Sequence, residues 1–271
     1  MARAGRMAGR VARIVAAGLA LGGAAAAQSA RPPAACQQRI TRQDRLVAVD
    51  AHGDLVLESG RRGRLDGLRR PEDPALAAAA TAWLLDLRGR PLATREVAAP
   101  DRWGRVSLDA ATRDDDAPVD LAGGLVAAGL AQVDAGEADT LCRPGLLAVE
   151  ATARREGKGV WAAAAVIPAD DAARLVAAAG RFVLIEGRVR SVGERERRTY
   201  LNFAPFGEDG LSVTMQKRTW RILVGRGLTA AALRGRRVRA RGTVELWRGP
   251  TLDLGAAEMI ELLDEEQAQR R

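Results

Sequence analysis

The sequence alternates short apolar runs with turns that contain glycine or proline, and this pattern predicts β-strands more often than helices. Leu55-Val56-Leu57 and Gly63-Arg64-Leu65 flank Ser59-Gly60, which predicts a β-hairpin. Further strands are predicted at 46–49, 92–97 and 106–110. Helices are predicted at 75–87, directly after Asp73-Pro74, and at 119–130 and 146–156.

A run of short strands that encloses one helix and is followed by two more is typical of a five-stranded Greek-key barrel of the OB type. After a predicted linker helix within 163–179, strand-like segments resume over 180–263. They lie at 182–189, 199–203, 211–215, 236–246 and 251–254, with an edge strand at 259–263. The predicted fold class is therefore mainly β with α. It comprises an OB-type barrel with appended helices over 44–162, a second small OB-like barrel and a charged tail at 264–271.

The N-terminus has the features of a secretory signal over residues 1–27. Four arginines precede an apolar run at 14–21, and Ala25-Ala26-Ala27 follows as a cleavage site. The run is short for a membrane span, although an uncleaved anchor is the alternative. We therefore predict an exported protein, periplasmic or secreted, with no transmembrane segment in the mature chain and a flexible lead-in over 28–43.

Cys36 and Cys142 are the two cysteines of the chain. Export places them in an oxidising compartment, where disulfides form and persist. The sequence therefore predicts one disulfide that ties the N-terminal arm to the body of the protein, and two buried or free thiols are the alternative.

Positive charge is concentrated in the second half of the chain. Residues 180–263 carry 16 Arg and Lys against 9 Asp and Glu, whereas residues 28–179 carry 20 against 22. Basic grooves with stacked aromatic side chains bind single-stranded nucleic acid. The candidate binding residues for nucleic acid or another polyanion are Tyr200, Trp220, Arg237, Arg239, Arg241 and Trp247. In the alternative interpretation Phe203 and Trp220 fill a core, and the arginines of 234–241 form a solvated strand face.

Residues 54–72 and the segment Asp101-Arg102-Trp103-Gly104-Arg105 carry a resemblance to a known family. The first contains Arg64-Leu65-Asp66-Gly67 and ends in Pro71-Glu72. Over about 44–162 the chain resembles the staphylococcal-nuclease-like (thermonuclease) family, whose motifs are Arg-Leu-x-Gly-Ile-Asp-x-Pro-Glu and Asp-[Arg/Lys]-Tyr-Gly-Arg. Residues 180–263 resemble a nucleic-acid-type OB-fold domain. The first resemblance implies an OB barrel with helices and a calcium-dependent hydrolysis of phosphodiester bonds.

The resemblance also implies roles for individual residues. Arg64 and Arg105 would clamp the phosphate, Glu72 would be the general base, and Asp54 would bind calcium. The second calcium-binding Asp of the family is replaced here by Arg69. Calcium requires several oxygen ligands, mostly anionic, so this change predicts an incomplete calcium site. Asp66 would supply a ligand only if it faced inward, and His52 is interpreted as a turn residue.

Three hypotheses follow for the function. The first is an exported thermonuclease-like protein that binds nucleic acid or another polyanion, with phosphodiesterase activity weak or lost. The second is an active calcium-dependent endonuclease that acts on DNA or RNA. The third is a structural envelope protein in which both barrels serve protein contacts. For Asp54, Arg64 and Glu72 the alternative to a catalytic role is a structural ion-pair network at the solvated mouth of the barrel.

Overall fold

The computed structural model describes Cys36 and residues 41–113, 117–136, 138–162, 166–205 and 210–263. The predicted signal segment at 1–27, most of the predicted lead-in and the charged tail at 264–271 lie outside the described residues. These described residues belong to one compact unit. Within the described ranges, no helix combines the length and the apolar character needed to cross a membrane.

The described residues of the first half of the chain form a barrel with three α-helices. Its elements are β1 (Thr41–Val49), β2 (Leu55–Leu57), β3 (Arg62–Leu65), β4 (Leu68–Arg69), α1 (Pro74–Leu85), β5 (Pro91–Glu96), β6 (Arg105–Thr112), α2 (Leu121–Ala127), β7 (Gln132–Val133) and α3 (Leu146–Arg155). The closed barrel, called here the N-terminal barrel, has the strand order β1-β2-β3-β6-β5. Strands β3 and β6 run parallel, and the other neighbours are antiparallel.

Local sequence explains these elements. Leucines at alternate strand positions, including Leu55, Leu57, Leu92 and Leu108, point inward and are fully buried. Helix α1 begins where the Asp73 carboxylate accepts a hydrogen bond from the backbone N–H of Leu76 at 2.9 Å. The predicted hairpin is confirmed by the antiparallel pairing of β2 with β3. The lead-in ends earlier than predicted, because β1 already begins at Thr41.

The described residues of the second half form one eight-stranded sheet, called here the C-terminal sheet, with three short α-helices. Its elements are β8 (Val166–Pro168), α4 (Ala172–Ala177), β9 (Phe182–Arg188), β10 (Ser191–Glu194), β11 (Arg198–Asn202), β12 (Ser212–Gln216), α5 (Lys217–Gly225), α6 (Ala230–Leu233), β13 (Arg237–Leu246), β14 (Pro250–Leu254) and β15 (Ile260–Leu262). The order is β10-β11-β12-β14-β13-β9-β8, and β15 pairs with β13. Helices α5 and α6 were not predicted, and the predicted linker contains β8, which pairs in parallel with β9.

The two halves share one apolar core. Buried residues of the N-terminal barrel, such as Leu46 and Leu121, belong to the same cluster as Ile185, Val213 and Val238 of the C-terminal sheet. Cys36 and Cys142 form a disulfide bond, which joins the N-terminal arm to the loop between β7 and α3. Buried residues of the two halves are therefore in contact with each other through one apolar cluster.

Candidate functional site

A tight turn positions Asp54 at the start of β2. The Asp50 carboxylate accepts hydrogen bonds from the backbone N–H groups of His52 at 2.8 Å and Asp54 at 3.0 Å. Gly53 has a φ of +79°, and a Cβ at this position would lie 2.2 Å from the Arg70 guanidinium. The turn therefore requires glycine before Asp54. His52 lies in this turn, as its sequence position indicates.

The buried Asp54 carboxylate lies between two arginines. Its side chain is only 3% exposed, with Arg64 Nε 3.6 Å from Oδ1 and Arg105 Nη1 3.4 Å from Oδ2. The two arginines meet there because β3 and β6 run side by side in parallel, with Arg62 opposite Arg105 and Arg64 opposite Ser107. The structure thus brings together three of the four residues to which the family resemblance assigns a role.

A second turn places an exposed tryptophan beside this cluster. Asp101 Oδ1 accepts hydrogen bonds from the backbone N–H groups of Trp103 and Arg105, and Asp101 Oδ2 accepts one from Arg105 Nε at 2.9 Å. The hydrogen bond with Asp101 raises the pKa of Arg105, which therefore stays charged. Trp103 is 63% exposed, and the guanidinium carbons of Arg102 and Arg105 lie 3.8 and 4.9 Å from its ring centroid.

These side chains form a basic surface, called here the arginine face, which comprises Arg62, Arg64, Arg102, Trp103 and Arg105. Arg62 and Arg64 are both exposed because they occupy alternate positions on β3. The four cations outnumber the two carboxylates of Asp54 and Asp101 that contact them. The arginine face therefore offers guanidinium groups and an aromatic ring to an anionic ligand.

Glu72 makes its contacts at the border with the C-terminal sheet. Its carboxylate lies 3.5 Å from Arg69 Nη2 and 3.3 Å from Arg181 Nε, and it accepts a hydrogen bond from the backbone N–H of Phe182 at 3.4 Å. Arg69 also lies 3.5 Å from Asp134 and 5.0 Å from the Phe182 ring centroid. The carboxylate expected to activate water is thus engaged in contacts that hold the two halves together.

The residues present do not fit a calcium ion. Asp54 is a single carboxylate whose two oxygens already face guanidinium groups, and Arg69 is paired with Glu72 and Asp134. Asp66 does not join Asp54, because its Oδ1 accepts a hydrogen bond from Ser107 Oγ at 2.7 Å. Within the described part of the chain, no cluster of three or more His, Cys, Asp or Glu side chains has the geometry for a metal.

Two arginines of the predicted C-terminal binding surface are buried and form ion pairs inside the protein. Arg241 is 1% exposed, and it donates to Glu150 and to Glu261, both at 2.6 Å. Arg239 is nearly as buried, and lies 2.7 Å from Glu186 and 3.4 Å from Glu261. A polyanion cannot reach these charges, so this prediction is corrected: both arginines of β13 form ion pairs with carboxylates of the protein itself.

The other predicted binding residues differ in exposure. Trp220 is buried on α5 and donates its indole N–H to Glu194 at 2.9 Å, which agrees with the alternative that it fills a core. Arg237 is exposed and lies 3.2 Å from Glu186. Tyr200 is half-buried on β11, and Trp247 is 64% exposed between β13 and β14. Of the candidate aromatic residues on this sheet, Tyr200 and Trp247 therefore remain accessible.

Comparisons with known proteins show a limited likeness. No protein-family model matches the sequence, and no curated protein matches it. The chain is similar to the OBody AM1L10, solved bound to hen egg-white lysozyme, with 22% identity, a TM-score of 0.25 and coverage of 32% of this chain and 83% of that chain. It is also similar to a chain of the S. pombe Stn1-ten1 complex, with 18% identity, a TM-score of 0.24 and coverage of 33% and 65%. TM-scores this low support no inference about function, and the comparisons show no nuclease family for this chain.

Proposed function

We propose that this protein binds single-stranded nucleic acid through the arginine face of the N-terminal barrel and does not hydrolyse it with calcium. One observation carries the proposal, namely that the exposed Trp103 ring lies beside Arg102 and Arg105 on an OB-type barrel. Bases stack on aromatic rings, and guanidinium groups bind phosphate oxygens in pairs. Arg62 and Arg64 extend the positive surface along β3.

The hypothesis of an active calcium nuclease has less support. Asp54 is neutralised by two arginines, and Glu72 is held by Arg69, Arg181 and the Phe182 amide. A general base must lie beside the groups that hold the phosphate, and none of the contacts of Glu72 among the described residues is with Asp54, Arg64 or Arg105. The remaining arginines would still hold a phosphate. The thermonuclease-like frame is therefore proposed to serve binding.

We infer that the C-terminal sheet is a second OB-like barrel. Strands β10 and β9 lie far apart in the strand order, yet only Val189 and Arg190 separate them in sequence. The Val189 N–H bonds to the Arg236 carbonyl at 3.0 Å, and the Arg190 N–H bonds to the Asn202 carbonyl at 2.8 Å. Backbone hydrogen bonds thus continue through residues 189 and 190, between β9 and β10, to a strand on either side, which supports closure of the sheet into a barrel.

We further propose that the protein is exported, because a disulfide forms and persists in an oxidising compartment.

The interface is tested by replacing Trp103 with alanine and measuring the affinity for a fluorescein-labelled oligothymidylate by anisotropy at low salt. We expect the dissociation constant to rise about ten-fold, because the loss of one stacked base is worth about 1–3 kcal/mol.

For the double variant Arg62→Ala/Arg64→Ala, we expect weaker binding of the same oligothymidylate. We also expect its binding constant to depend less steeply on salt concentration, because fewer counterions are released on binding.

Trp247 provides the matched control, since it is equally exposed but lies on the C-terminal sheet. We expect Trp247→Ala to change the affinity less than two-fold. If Trp247→Ala abolishes binding while Trp103→Ala leaves it intact, the interface lies on the C-terminal sheet and the proposal for the arginine face is wrong.

A further inference from the structure

A cleft of ≈340 Å³ lies between the N-terminal barrel and α5. Its walls come from the segment after β3, the loop after β5, the loop between β7 and α3, and Arg218 of α5. Small side chains, including Ala98, Ala135 and Ala138, leave the space open. The volume lies within the range of small-molecule sites in proteins, and such sites are frequent where two structural units meet.

Asp66 is the one carboxylate of this cleft that has no ion pair among the described residues. Its Oδ1 accepts the hydrogen bond from Ser107 Oγ, which leaves Oδ2 to other donors. Burial raises the pKa of Asp66, while the hydrogen bond from Ser107 and the charge of Arg143 act in the opposite direction. Asp139 also lines the cleft, but it forms an ion pair with Arg218 at 2.6 Å. Among the described residues that line the cleft, Asp66 is therefore the carboxylate without an ion pair.

The apolar part of the cleft complements this charge. Val97, Ala98 and Leu141 line it beside Asp66, so a ligand with a short hydrocarbon chain would bury that chain against them. A divalent metal is a poor occupant, because Asp66 supplies only one free carboxylate oxygen. An anion is also disfavoured, because it would face the unpaired carboxylate of Asp66.

We propose that this cleft binds a small primary alkylammonium ion. The ammonium group donates a hydrogen bond to Asp66 Oδ2, and the alkyl chain packs against Val97, Ala98 and Leu141. Because the cleft is lined from both halves of the protein, the bound amine stabilises their packing. The expected thermal stabilisation increases with ligand concentration, as for any ligand that binds only the folded state.

The test uses isothermal titration calorimetry on the oxidised protein, with n-butylamine as the probe near neutral pH. We expect saturable binding of n-butylamine, about ten-fold weaker binding of 1-butanol, and no binding of butyrate, because charge and shape are recognised together. Asp66→Asn should weaken amine binding at least about ten-fold, since it removes a charge-assisted hydrogen bond at nearly constant volume.

Two further variants keep the test decisive if Asp66→Asn does not fold. Ala98→Leu fills the cleft without changing its charge and should also abolish amine binding. Asp86→Asn removes an exposed carboxylate elsewhere and should leave binding unchanged. The proposal is overturned if n-butylamine does not bind, if 1-butanol binds equally well, or if a folded Asp66→Asn variant retains the wild-type affinity.

Discussion

Replacing Glu150 with glutamine is expected to lower the free energy of unfolding by about 3–5 kcal/mol, the usual cost of leaving one member of a buried ion pair without its partner. Glu150 on α3 is completely buried, and its Oε1 accepts hydrogen bonds from Arg241 at 2.6 Å and Arg154 at 3.2 Å. Its Oε2 accepts the backbone N–H of Val133 at 2.6 Å. The variant retains the shape of the side chain but removes the fully buried carboxylate partner of Arg241, which keeps only its ion pair with Glu261 among the described residues.

Urea unfolding at neutral pH measures this loss, and Glu156→Gln is the matched control. Glu156 follows α3 and pairs with Lys158 on the exposed surface, so its replacement should leave the unfolding midpoint almost unchanged. The double variant Glu150→Met/Arg241→Met should be more stable than Glu150→Gln, because neither of the two fully buried charges of this ion pair remains. If Glu150→Gln unfolds at the wild-type midpoint, the buried network does not hold the two halves together.

Removal of the disulfide has the second large expected effect. Cys36 and Cys142 are separated by 106 residues, and in the chain-entropy model a cross-link over a loop of about 100 residues stabilises a protein by about 4.7 kcal/mol. We expect Cys36→Ser/Cys142→Ser to lose about 4 kcal/mol of unfolding free energy, with most of the native circular dichroism retained. Urea unfolding of the variant and of the wild type, each with and without reductant, measures the difference.

Two outcomes would contradict this prediction. A wild-type protein purified without reductant whose thiols are all free by mass spectrometry would show that the bond does not form. A double serine variant as stable as the oxidised wild type would show that the N-terminal arm contributes little to the packing of the loop between β7 and α3. Reductant should leave the unfolding of the serine variant unchanged.

Much of the fold could be predicted because local patterns govern it. Alternating leucines and glycine-containing turns located the strands of the barrel, and the predicted hairpin matches β2 and β3. Helix α5 was not predicted, because its nine residues mix basic and apolar side chains and follow directly after β12. Thr219, Trp220 and Leu223 form its buried face, a helical spacing that is hard to recognise in so short a segment.

The candidate site could be predicted only in part. Asp54, Arg64 and Arg105 were found together because their motifs correspond to adjacent strands of one barrel. The partners of Glu72 could not be foreseen, since Arg181 and the Phe182 amide lie 109 and 110 residues further along the chain. The burial of Arg241 depends likewise on Glu150, 91 residues away. Neither pairing leaves a local signal in the sequence.

Incubation of the purified protein with a labelled single-stranded oligonucleotide, with calcium and with a chelator, tests the central claim most directly. Binding and cleavage are measured in the same samples, and Glu72→Gln is assayed alongside the wild type. We predict equal binding with calcium and with chelator, and no cleavage above that of Glu72→Gln. Calcium-dependent cleavage that Glu72→Gln abolishes would contradict the account, because Glu72 would then act as a base despite its contacts with Arg69 and Arg181.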